Sequence, residues 1–136
     1  MPSSQPARTR EGDNLTVLIV DDEPDMRLLV RRFLSRAGLH VVEEAVDGVD
    51  ALRAVEELNP PPVPTVVVLD NLMPTMTGLE VAELILERAP HQHIVLFSAF
   101  LNPEVEIEAA RVGVSACLAK TDIARLPELI SALAGA

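Results

Sequence analysis

A chain of 136 residues, 49% of them apolar and only one of them cysteine, is the size of a single domain and can bury roughly 65–70% of its unfolded surface in one core. Its net charge of −10 repels phosphate backbones and anionic headgroups, which argues against nonspecific attraction to nucleic acid or to a membrane surface. The lack of Trp and Tyr removes common platforms for stacking unpaired bases, and no apolar run approaches the roughly 20 residues that span a bilayer.

In chain order, residues 1–13 are polar, carry Pro2, Pro6 and Gly12 and lack an apolar stretch, so they read as a disordered tail and not as a signal peptide. A cytoplasmic location follows, and the ordered unit is expected over residues 14–134. The first apolar run, Leu15–Val20, is interrupted only by Thr16, which suits a strand covered on both faces of a parallel sheet. Met26, Leu29, Val30, Phe33 and Leu34 then keep the i, i+3, i+4, i+7 spacing of a helix with one apolar stripe. His40–Val46 is a second strand, polar enough to be an edge. After Asp47 and Gly48, Ala51, Leu52 and Val55 mark a short helix, and Pro60–Pro64 is a connector.

Thr65–Leu69 reads as the third strand, Leu79, Ala82, Ile85 and Leu86 as the third helical stripe, and His93–Phe97 as the fourth strand. Between Pro103 and Val112, Val105, Ile107 and Ala109 alternate with Glu104, Glu106 and Glu108. That pattern fits a strand nearly as well as a helix; the segment is read as a helix. Val114–Leu118 is the fifth strand, and Ile123, Leu126, Ile130 and Leu133 form the closing helical stripe. Strand and helix alternate five times, which predicts an α/β fold: one doubly wound (βα)5 domain around a five-stranded parallel sheet. Cys117, in an apolar stretch, reads as a buried structural thiol.

Open α/β sheets bind ligands outside the carboxyl ends of their strands. Asp21 and Asp22 follow the first strand, Asp70 the third, Ser98 the fourth and Lys120 the fifth. Loops alone explain any one of these residues, and acids before Pro24 also suit a helix start; loops do not readily explain the whole set on one edge. Three converging carboxylates repel one another unless a cation sits among them. Mg²⁺ suits oxygen ligands and phosphate, Lys120 supplies a point charge for phosphate, and Ser98 a hydroxyl donor. No glycine-rich nucleotide loop follows the first strand, so the set reads as a phosphoryl-transfer site without a nucleotide pocket. Lys120, aimed at a phosphate absent from the resting state, is expected to matter little for stability. His91, His93 and His40 fail as a metal set and read as exposed loop or strand-start residues, and Met73 and Met76 read as packing.

The segments Val20-Asp21-Asp22-Glu23-Pro24, Leu69-Asp70-Asn71-Leu72-Met73-Pro74 through Met76 to Gly78, Phe97-Ser98-Ala99 and Ala119-Lys120 together resemble the receiver domain of two-component response regulators. The resemblance implies a flavodoxin-like strand order, 2-1-3-4-5, and a domain that catalyses only its own phosphorylation and dephosphorylation. By matching position it implies Asp70 as phosphoacceptor from a histidine kinase or phosphotransfer protein, and Asp21, Asp22, Asp70 and the backbone carbonyl of Leu72 as the Mg²⁺ set. Lys120 and Ser98 would bind phosphoryl oxygens, and Asn71 would position the loop. Family members usually carry an aromatic residue three positions before the lysine and a proline after it; Cys117 and Thr121 stand there instead, so the resemblance implies a switch at Ser98 and Cys117 that lacks the usual aromatic ring.

The implied output face is the fourth helix, fifth strand and fifth helix, a possible homodimer surface, with the output partner unknown. The chain ends a few residues past the last stripe, as a stand-alone receiver or one excised from a longer regulator would. Leu72 and Phe100, two residues after Asp70 and Ser98, are apolar where a polar side chain would hold a hydrolytic water, and so are expected to prolong the acyl phosphate. A Mg²⁺-dependent phosphohydrolase is the rival from another class, but Leu72 occupies the place of its second acid; a receiver acting without phosphorylation would lack an acid or the lysine, and none is missing.

Overall fold

The computed structural model describes residues 15–58 and 65–135; the expected tail over 1–13 and the connector Pro60–Pro64 lie outside them. Its elements are β1 (Thr16–Val20), α1 (Pro24–Arg36), β2 (His40–Ala45), α2 (Gly48–Glu57), β3 (Val66–Leu69), α3 (Gly78–Arg88), β4 (His93–Ser98), α4 (Pro103–Val112), β5 (Ala116–Ala119) and α5 (Leu126–Ala134). The five strands form one parallel sheet in the order β2-β1-β3-β4-β5. Each expected strand is present, displaced by at most two residues at either end.

β3 is buried along its whole length and β1 and β4 nearly so, which explains their unbroken apolar runs. Alternate residues feed two cores. One face packs Val17, Ile19, Val68, Val95 and Phe97 against Val30, Leu34, Leu126 and Ile130. The other packs Leu18, Val20, Val67 and Leu69 against Ala51, Val55, Val81, Ala82 and Ile85. β2 is the expected edge, and its two glutamates serve different helices: Glu44 pairs with Arg27 and Arg31 of α1, Glu43 with Arg53 of α2.

Several helical details differ from the periodic reading. Leu29 of the α1 stripe is 41% exposed, because Val30 and Leu34 alone reach the sheet fully. In α3 the buried centre is Val81, Ala82 and Ile85, with Leu79 half-buried. The ambiguous segment over 103–112 is helical because its ends are capped: the Asn102 side chain accepts the Val105 N–H at 2.8 Å, Pro103 opens the first turn, and Gly113 closes it at φ 108°. The closing stripe is split in two, a 3-10 turn over Lys120–Arg125 holding Ile123 and then α5.

Candidate functional site

The carboxyl ends of β1 and β3, with the start of the turn after β5, surround a cavity of about 220 Å³ lined by Asp22, Glu23, Asp70, Leu72, Ala99, Phe100 and Lys120. The backbone around it is tightly located. Asp21 N–H donates to Ala45 O of β2 (3.1 Å) and Asp70 N–H to Val20 O of β1 (2.9 Å), so both acids leave the sheet in register. The loop after Asp70 folds back on itself: Gly78 N–H donates to Asn71 O at 2.8 Å, and Leu79 N–H to Asn71 Oδ1 at 3.1 Å. Asn71 thus ties the loop to the start of α3. A Cβ on Gly78 would lie 2.2 Å from Asp70 O, so only glycine lets α3 begin so close to the end of β3.

Asp21, Asp22 and Asp70 bring carboxylate oxygens within 4.8 Å of one another. Asp21 is buried, and both its oxygens are engaged: Oδ1 accepts the Glu23 N–H at 2.9 Å and Oδ2 faces Lys120 Nζ at 2.8 Å. Lys120 also reaches Asp70 Oδ1 at 3.4 Å and Glu23 at 3.8 Å. Burial holds the Asp70 carboxyl above the usual carboxylate range, with Asp21 adding to the effect and Lys120 and the Leu72 N–H opposing it. Burial alone would lower the Lys120 ammonium, but Asp21 and Asp70 outweigh it and hold it above the ordinary lysine value. Lys120 therefore already has carboxylate partners within the protein, where the sequence reading aimed it at a phosphate alone.

Leu72 and Phe100 are 53% and 68% exposed and stand at the mouth of the cavity. Ser98 does not line it: the side chain is fully buried, Oγ accepts the Phe100 N–H (3.2 Å) and its hydroxyl is oriented to donate to Phe100 O (3.4 Å). Cys117 is not buried, as its apolar surroundings suggested, but half-buried beside a groove formed with Arg125, Glu128 and Leu129; partial burial raises its thiol. His91 and His40 are exposed as expected, whereas His93 is a half-buried first residue of β4. Met73 is buried and Met76 packs against the α2–α3 core.

Two contributors escape the sequence reading. Glu23 lines the cavity, and Arg27, outside it, donates from Nη1 to Asp21 O at 2.7 Å. Glu23 was visible only as part of the acidic motif; Arg27 gave no signal, since an arginine on a helix usually faces solvent.

The model of the response regulator receiver domain matches residues 17–131, and the chain belongs to that family. Chemotaxis protein CheY of Thermotoga maritima is 34% identical over 97 residues, 71% of this chain and 78% of that protein. Protein-glutamate methylesterase/protein-glutamine glutaminase 3 of Hahella chejuensis is 37% identical over 86 residues, 63% of this chain but only 24% of that protein. Among solved structures, a LuxR-family two-component response regulator from Aurantimonas sp. SI85-9A1 superposes with a TM-score of 0.82 at 30% identity, covering 88% of this chain and 84% of that one. CheY4 of Vibrio cholerae gives 0.78 at 28% identity, with 88% and 98% covered. Receiver domains are generally non-catalytic signalling domains of two-component systems that interact with kinases or phosphotransfer proteins. Among the described residues no helix is long and apolar enough to cross a membrane.

Proposed function

We propose that this receiver accepts a phosphoryl group on Asp70 from a phosphohistidine of a histidine kinase or phosphotransfer protein. A carboxylate oxygen of Asp70 bonds to phosphorus as the phosphorus–nitrogen bond breaks, and the imidazole leaves with its electron pair. The observation that carries the reading is the convergence of three carboxylates and Lys120 Nζ at one cavity.

The donor set is all oxygen and sits beside a point charge, which fits Mg²⁺ and phosphate. Asp21, Asp22, Asp70 and the Leu72 carbonyl would hold Mg²⁺, whose charge offsets that of the incoming phosphoryl group. Lys120 must exchange its carboxylate partners for phosphoryl oxygens, and Ser98 must release the Phe100 backbone to join it. Their movement is the shape change, and the face of α4, β5 and α5 is the surface that carries it to a partner or to a second copy. Cys117 offers no ring on that route.

Incubation with acetyl phosphate and Mg²⁺ is expected to add one phosphoryl group by intact mass, and chelation or Asp70→Asn to abolish it. Labelling of the Asn variant at the wild-type rate would overturn the assignment; many turnovers of acetyl phosphate would favour a phosphohydrolase. Leu72 and Phe100 offer no hydrogen bond to a hydrolytic water. Leu72→Asn or Phe100→Glu is expected to shorten the lifetime of the phosphorylated mass about tenfold, equivalent to about 1.4 kcal/mol of barrier.

A further inference from the structure

Arg27 lies one turn into α1, does not line the cavity and is only 15% exposed. Its guanidinium makes two bonds of different purpose. Nη1 donates to the backbone carbonyl of Asp21 at 2.7 Å, and Nε donates to Glu44 Oε1 of β2 at 3.1 Å. Glu44 is fixed in turn, because Oε2 accepts from Arg31 Nε at 2.6 Å. The same stretch of β2 receives the Asp21 N–H through Ala45 O.

The Asp21 residue is therefore gripped at its N–H by β2, at its carbonyl by Arg27 and at its carboxylate by the Glu23 N–H and Lys120. Asp22 is different: it is exposed, and its carboxylate makes no ion pair among the described residues. Its position rests on the backbone that precedes it, and the carbonyl gripped by Arg27 belongs to the peptide joining Asp21 to Asp22. Rotation of that peptide would carry the Asp22 side chain with it.

We propose that Arg27, anchored by Glu44, is a positioning residue that presets Asp21 and Asp22 for a divalent cation. The proposal rests on the acceptor reading above only in naming Mg²⁺ as the cation. Groups that orient metal ligands without touching the metal typically change affinity by about 10–100-fold when removed.

The test is calorimetric titration of metal-free protein with MgCl₂, together with acetyl phosphate labelling as a function of Mg²⁺ concentration. Arg53→Met is the control, since Arg53 clamps α2 to the neighbouring Glu43 of β2 without approaching the cavity. Arg27→Met is expected to weaken Mg²⁺ binding about tenfold, Glu44→Gln to weaken it less, Arg27→Lys to restore part of the loss, and Arg53→Met to leave it unchanged. Labelling by Arg27→Met should return near the wild-type rate at saturating Mg²⁺. If Arg27→Met and Glu44→Gln bind Mg²⁺ as the wild type does, or Arg53→Met weakens binding equally, the proposal is overturned. Wild-type protein that binds Mg²⁺ but never labels would defeat the acceptor reading and leave the binding ratio to decide the role of Arg27. No Mg²⁺ binding by the wild type would defeat both.

Discussion

β3 and β5 both lead into the cavity, through Asp70 and Lys120, yet all four residues of β3 are buried whereas β5 buries only Leu118. The helices that follow and precede them differ in the same way: α3 buries Gly78, Val81, Ala82 and Ile85, while α4 buries Ala109 alone and leaves Ile107 70% exposed. Acceptor chemistry needs atoms held to a fraction of an ångström, which close packing provides. Elements with few buried apolar contacts open at lower free energy. The difference teaches that the domain packs the strand and helix that carry Asp70 more tightly than those that lead to Lys120.

The strongest way to break this comparison is to add one carbon to each side. Gly78→Ala places a Cβ against Asp70 O, where only backbone can yield, and is expected to cost about 3 kcal/mol. Gly113→Ala, at φ 108° with Leu86 Cδ1 3.3 Å from the new carbon, is expected to cost about 1–2 kcal/mol, the scale of left-handed strain. Urea unfolding followed by circular dichroism measures both; equal costs would refute the asymmetry.

Lys120→Met leaves Asp21 and Asp70 facing each other without their cation, and a loss of about 2 kcal/mol is expected, less than for a fully enclosed pair because the cavity admits water. Mg²⁺ should stabilise this variant more than the wild type. The Lys120 pKa is raised on folding, so its contribution is full below the ordinary lysine value of about 10.4 and fades as pH climbs through the raised one. In Lys120→Met that alkaline decline should be shallower in thermal melts taken from pH 9 upward.

Asp70→Asn sharpens the comparison from the other direction. The Asp70 pKa is raised on folding, so the native state binds more protons than the unfolded chain, and wild-type stability from this group falls as pH rises out of the acid range. The variant is expected to be more stable than the wild type by about 1 kcal/mol at pH 7, as when a functional strain is removed. That advantage should shrink as pH drops through the raised Asp70 value and be gone below the ordinary carboxylate value of about 4. A pH-independent difference would show that ionisation of Asp70 is not its source.

The smallest effect is expected on the loosely packed side. Cys117→Tyr enlarges a half-buried residue beside an open groove, and stability should change by less than about 1 kcal/mol. Backbone amide shifts of α4 and α5, with and without beryllofluoride, should nonetheless differ from the wild-type pattern. Identical shifts would mean that a ring at this position adds nothing to the route.

By itself, the sequence determined the five strands, the helical stripes outside residues 103–112 and which five polar residues lie at strand ends, because apolar periodicity and burial on both sheet faces leave a direct imprint on residue order. The strand order came instead from the motifs shared with receiver domains, since periodicity does not say which strands are neighbours. Tertiary structure alone decided the partners. Lys120 is bound to Asp21 and Asp70, Ser98 is turned to the Phe100 backbone, and Arg27 grips a carbonyl next to the acids. Each of these depends on what the fold sets opposite a polar atom, and β2, α1 and the turn after β5 supply those neighbours from positions distant in the chain.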